Sequence, residues 1–285
     1  METIRSNDNS AIPWLLRATT VVEMIVLVVA GLSLYLLPGW TRDVWPWEIT
    51  PFNTRFLGSI YLASLVSVAS LTLVARRAPV RLVVPMIVAF TTVILVVSIV
   101  YTDRFEDRFS TIAWWIIFIV TPPGSAYFAW HFRKIAPPLA SETPRSLSRF
   151  LFLEGLVTGI YGILLLVAPT WSTAFWPWPI DDFHGRLYSA VFVTLAVGSL
   201  LVLRRGAPNE LATLGATQLT LGLTAIAGFV IVDADVQKVD WSAGGTWIWI
   251  GGFALILLEG FGLTASGLAE RRLGARVSRS AAEGS

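Results

Sequence analysis

Three carboxylates, Glu23, Glu154 and Glu259, stand inside stretches of sequence that are otherwise apolar. A charged side chain at the centre of a membrane helix costs on the order of 2.5–3.5 kcal/mol even on insertion scales, so such groups are candidates for proton or substrate handling. Glu23 follows Arg17 by six residues, about 9 Å along a helix, and Glu154 follows Arg149 by five, about 7.5 Å. Each can reach a boundary arginine. A structural tie between helix and loop therefore competes with a symmetric pair of protonatable groups flanking a pathway. Glu259 lies deeper, ten residues from Trp249 and eleven from Glu270, or about 15 Å from either boundary.

The segment at 110–132 offers Thr121-Pro122-Pro123-Gly124 at similar depth. Two prolines remove two backbone donors and push carbonyls off the helical ladder. Freed carbonyls are tolerated there only where they face protein or water. The expectation is that Glu259, Thr121, Pro122 and Pro123 share a polar midplane site on a broken helix. The competing expectation is a protonated Glu259 that hydrogen-bonds a neighbouring helix as glue.

Arg55 and Arg186, set beside Trp47 and Trp178, read as cationic clamps for anionic headgroups or substrates. The alternative is that each arginine snorkels and pairs with an acid such as Asp43 or Asp182. His131 sits at a segment boundary beside Trp130, and His184 follows Asp181 and Asp182. An Asp-Asp-x-His cluster could ligate a metal, but with one histidine the reading is surface polarity, and no metal or cofactor is expected. The chain has no cysteine, which excludes disulfides, thiol catalysis and Cys-ligated metal. It has no Ser-His-Asp arrangement, no metalloprotease motif and no phosphate-binding glycine loop, so an enzyme is disfavoured.

The elements that must position these residues follow from composition. The chain has 285 residues, 55% hydrophobic and 14% charged, and a mean hydropathy of +0.68. Soluble domains are about 25% charged, so an integral membrane protein is expected. Eight segments reach the roughly 20 apolar residues a bilayer needs: 13–37, 52–75, 79–101, 110–132, 148–168, 183–203, 209–232 and 246–268. Fifteen of the 21 Lys and Arg fall on the side of both termini and six on the other. Loops rich in basic residues stay cytoplasmic, so both termini are expected there. Arginine outnumbers lysine 19 to 2, a bias compatible with a bacterial plasma-membrane protein of GC-rich origin. Eleven of 13 tryptophans map to the opposite, outer boundary, where indole favours the headgroup level. The basic residues read as topology signals, so no nucleic-acid partner is expected.

The loop Trp45-Pro46-Trp47-Glu48-Ile49-Thr50-Pro51-Phe52-Asn53-Thr54-Arg55 returns as Trp176-Pro177-Trp178-Pro179-Ile180-Asp181-Asp182-Phe183-His184-Gly185-Arg186, an offset of 131 (176 − 45). The same offset relates Glu23 to Glu154 and Pro38 to Pro169. One offset held over this span marks a tandem repeat. The expected fold is all-α: an integral membrane protein of eight transmembrane helices built as two parallel four-helix repeats. Residues 1–136 form the first repeat and 137–147 a cytoplasmic linker. Residues 148–268 form the second repeat and 269–285 a disordered cytoplasmic tail. The W-P-W-x-[IL]-T-P loop followed by arginine resembles one found in uncharacterised bacterial polytopic membrane proteins, a resemblance that carries no activity with it. Three functions remain: a small transporter or permease, a non-catalytic accessory protein that binds lipid, another membrane protein or a second copy of itself, and a lipid-modifying membrane enzyme using outer-face acids, against which the missing catalytic constellations argue. A water-filled pocket reaching Glu259 would favour the first and a dry interior the second.

Overall fold

A computed structural model describes residues 12–74, 77–133 and 141–283 of the chain. They form an all-α molecule in which eight helices are long and apolar enough to cross a membrane. In order these are α1 (Trp14–Leu36), α3 (Pro51–Val74), α4 (Arg77–Val100), α5 (Phe109–Phe132), α6 (Arg145–Val167), α8 (Asp182–Val202), α9 (Pro208–Val236) and α10 (Gly244–Glu283). Two short helices, α2 (Pro38–Val44) and α7 (Pro169–Ser172), follow α1 and α6. Residues 137–140 of the expected linker lie outside the described residues. Ser141–Glu142 (β1) pairs antiparallel with Arg205–Gly206 (β2), and α6 already begins at Arg145. The last helix runs on to Glu283, through residues expected as a tail; the Leu, Ala, Glu and Arg that follow residue 267 are strong helix formers.

Proline sets the same break twice. α1 ends at Leu37 (φ −123°, ψ 51°), whose amide bonds the Ser33 carbonyl, before Pro38 opens α2. α6 ends at Ala168 (φ −137°, ψ 58°), whose amide bonds the Leu164 carbonyl, before Pro169 opens α7. The residue before proline is pushed out of helical geometry, and proline at the first helical position loses nothing.

Four hairpin pairs hold the bundle: α1 on α3, α4 on α5, α6 on α8 and α9 on α10. Two further packings cross between the halves of the chain, α3 on α9 and α4 on α8. The central α3 and α8 are buried over most of their length, and their small polar residues Ser59, Ser67, Ser189 and Ser199 lie inside. Helices α1, α5, α6 and α10 are peripheral and show apolar faces outward, including Val22, Ile25 and Val29 on α1.

The core divides by position along the helices. At one end, called here the tryptophan end, Trp45, Trp47, Trp114, Trp176, Trp178 and Trp249 pack with Phe52, Phe56, Phe183 and Tyr188 in one aromatic mass. At the other, the arginine end, two aliphatic clusters form around Leu71 and Val83 and around Leu151 and Leu214. The six tryptophans just named are buried, whereas Trp40, Trp171 and Trp247 are exposed. The expected tryptophan belt is thus split, and half of it is core.

Candidate functional site

Glu154 is buried on α6 and is not tied to Arg149. Its Oε2 lies 2.9 Å from Ser199 Oγ on α8, and its Oε1 accepts from Gln218 Nε2 on α9. Local sequence makes these approaches. A Cβ at Gly155 would stand 3.1 Å from Leu200 and 3.5 Å from the Ala196 carbonyl, so glycine lets α6 settle against α8. Gln218 is fully buried, next to Thr217, which bonds Ser67 on α3 at 2.6 Å. One turn away Thr213 bonds Ser70, also at 2.6 Å, so paired hydroxyls seam α3 to α9.

Counting hydrogens constrains this network. Ser199 has one hydroxyl hydrogen and two neighbours in reach, Glu154 Oε2 and the Leu195 carbonyl at 3.0 Å. That single hydrogen serves one acceptor at a time, so Ser199 Oγ donates either to Glu154 Oε2 or to the carbonyl four residues back. Gln218 Oε1 remains buried with no partner.

Glu259 is partly buried on α10 at the level of this cluster, next in the chain to Gly260, which packs on Gly215 and Leu219 of α9. A Cβ at Gly215 would meet the Thr264 amide at 2.5 Å, and one at Gly222 the Phe253 carbonyl at 2.6 Å. The expected grouping with Thr121, Pro122 and Pro123 does not form. α5 runs unbroken through both prolines and packs on α4, while α10 packs on α9. The Thr121 carbonyl takes the Ser125 hydroxyl at 2.8 Å, Pro122 is buried and Pro123 faces outward. Glu23, 131 positions before Glu154, has Oε2 buried without a partner.

The site sits two turns in from a second polar junction. Glu210 is fully buried at the start of α9 and grips Arg81 of α4 in a fork, Nε to Oε1 at 2.8 Å and Nη2 to Oε2 at 2.6 Å. Arg81 also donates to the Arg205 carbonyl, and the Ala207 amide donates to Glu210. From Glu210 to Gln218 is about 12 Å along the helix, which places Gln218 about 6 Å to the arginine side of the middle of α9.

At the tryptophan end the two tryptophans expected beside the arginine clamps are buried, while Arg55 and Arg186 are half-buried. Trp47 is 1% exposed and Trp178 5%. Trp47 Nε1 donates to His184 Nε2 at 3.1 Å, and Trp178 Nε1 donates to Asn53 Oδ1 at 2.8 Å. His184, expected as surface polarity, is 4% exposed. An indole N–H can only donate, so His184 Nε2 holds a lone pair and Nδ1–H points at Asp181 Oδ1, 2.7 Å away. His131, by contrast, is exposed. Arg186 pairs with Asp182 at 3.3 Å, one of the two partners expected for an arginine here. Among the described residues Arg55 makes no ion pair with Asp43 or any other acid.

Two open depressions of about 390 and 350 Å³ flank Trp176-Pro177 at this end; the larger is lined by Phe175, Asp240 and Thr246 among others. Neither reaches Glu154 or Glu259. Sequence reading missed Gln218, Ser199 and Asn53. Gln218 had a legible signal, since it is the one glutamine within the eight long apolar segments. No family model, curated protein or solved structure matches the chain.

Proposed function

We propose that this chain is a multi-pass protein of a bacterial plasma membrane, akin to the uncharacterised proteins that share its W-P-W loop, and that it works as a small proton-coupled permease. The carrying observation is the buried Glu154–Gln218–Ser199 network across α6, α8 and α9, with a second carboxyl, Glu259, at the same level on α10. Intramembrane acids persist where they move or exchange protons. In this reading the arginine end is cytoplasmic, the tryptophan end faces outward, and the chain is two parallel four-helix repeats. Supporting the repeat are reciprocal bonds: Trp47 to His184 and Trp178 to Asn53 relate positions 131 apart in both partners. So do the ring contacts of Trp47 with Phe183 and Trp178 with Phe52, both at 5.2 Å, the first edge-on and the second stacked.

A second reading, an accessory protein that holds lipid or another membrane protein, is favoured by the position of the two depressions away from the carboxyls. Proteoliposomes carrying a pH gradient and an internal pH dye separate the two. Pools of amino acids, organic acids, sugars and amines are added outside. The permease reading expects at least one pool to speed collapse of the gradient in wild type and not in Glu259→Gln. It fails if no pool has an effect, or if Glu259→Gln behaves as wild type.

A further inference from the structure

Arg55 and Arg186 occupy positions 131 apart, and each Nε donates to a carbonyl near the end of the preceding long helix, Tyr35 at 3.3 Å and Leu166 at 3.0 Å. Beyond that bond the two differ. The Arg186 guanidinium also donates to the Tyr101 hydroxyl and is neutralised by Asp182. The residue matching Asp182 is Pro51, which has no charge to offer. Among the described residues the two Nη groups of Arg55 have no protein acceptor, leaving one half-buried guanidinium uncompensated.

Its stem is fixed while its fork is open. A Cβ at Gly228 of α9 would stand 3.3 Å from both the Arg55 Cβ and the Tyr35 ring, so Arg55 is wedged where α1, α3 and α9 meet. The Tyr35 hydroxyl donates to the Thr224 carbonyl at 3.0 Å and pins the third wall. Next to this corner in the chain, Leu36, Leu37, Val230 and Ile231 expose apolar side chains of the kind that face acyl tails. A guanidinium presents parallel N–H groups that match two phosphate oxygens.

We propose that Arg55 binds the phosphate of an anionic phospholipid, with the acyl chains lying on the exposed apolar residues beside it, and that Arg186 does not. This assignment rests on the asymmetry of the arginine pair and is independent of the carboxyl cluster.

The test is native mass spectrometry of the full chain in mild detergent. It is offered phosphatidylglycerol, phosphatidylcholine or inorganic phosphate. Wild type is expected to retain one phosphatidylglycerol in preference to phosphatidylcholine. Arg55→Gln should weaken that binding about tenfold or more, the worth of one charge-assisted contact. Arg186→Gln, which removes the same charge from the compensated site, should leave it within about twofold. If Arg55→Gln does not fold, Arg55→Lys carries the test, since it keeps the charge but loses the fork and should bind several-fold more weakly. The proposal is overturned if the Arg55 variants match wild type, or if Arg186→Gln loses lipid equally. It is also overturned if inorganic phosphate displaces the lipid at equal concentration, which would make free phosphate the ligand.

Discussion

A carboxyl buried between an amide and a hydroxyl is held by its hydrogen bonds as much as by its charge. Glu154→Gln supplies a carbonyl for Gln218 Nε2 and an N–H for Ser199, so its Tm in detergent should stay within about 2 °C of wild type. Glu154→Ala strands both neighbours and should cost about 1–3 kcal/mol. Equal losses for the two variants would show that the contacts to Gln218 and Ser199 do not hold Glu154. Asp181 gives a pH dependence with a definite sign. Partial burial pushes its carboxyl up. Hydrogen bonds from the His184 ring and amide, with the positive charge of Arg104 nearby, outweigh that and hold it below the usual aspartate value. A carboxyl depressed in the folded state contributes stability that is complete above its unfolded pKa of about 3.9 and is lost as pH falls through the lower folded value. Wild-type Tm should therefore drop below about pH 4 more steeply than that of Asp181→Asn, with the two curves converging in strong acid.

At the scale of helices, hydropathy located all eight long segments because the length of an apolar run is a local property. Their ends were less legible. α9 continues to Val236, past the expected stop at 232, because Asp233 finishes the helix instead of interrupting it. Its Oδ1 takes the amides of Lys238 and Val239 and its Oδ2 takes the Trp241 indole, while Gln237 turns left-handed (φ 50°). The Pro122-Pro123 pair misled for the opposite reason: two lost donors do not break a helix whose neighbouring turns hold it. Buried and exposed tryptophans were indistinguishable in sequence, since indole suits both a packed core and a headgroup layer. The glycines of the α9–α10 seam separate by what they touch. Gly222→Ala drives a methyl into the Phe253 carbonyl and should lower stability by about 1–3 kcal/mol. Gly262→Ala meets nothing within 4 Å and should be neutral or slightly stabilising. Thermal unfolding of the pair checks this directly.

For the molecule as a whole, the duplicated loop was visible in the residues, but the way its copies meet was not. Matching Asn53 to His184 says which positions correspond. Only the three-dimensional arrangement shows that each accepts from a tryptophan of the opposite copy. The proposed topology is testable at this scale because the chain has no cysteine of its own. A single cysteine at Asp43, in the exposed α2, should react with a membrane-impermeant maleimide in intact cells. One at Ser285 should react only after permeabilisation. The reverse pattern would invert the orientation.

The crossed packing of α3 on α9 and α4 on α8 has a further consequence. Within each half the two hairpins touch only lightly, and each packs mainly on one from the other half, as two hands clasp with fingers interlaced. Severing the backbone between residues 133 and 141 should leave two fragments that co-purify without a covalent link, whereas either fragment made alone should be degraded.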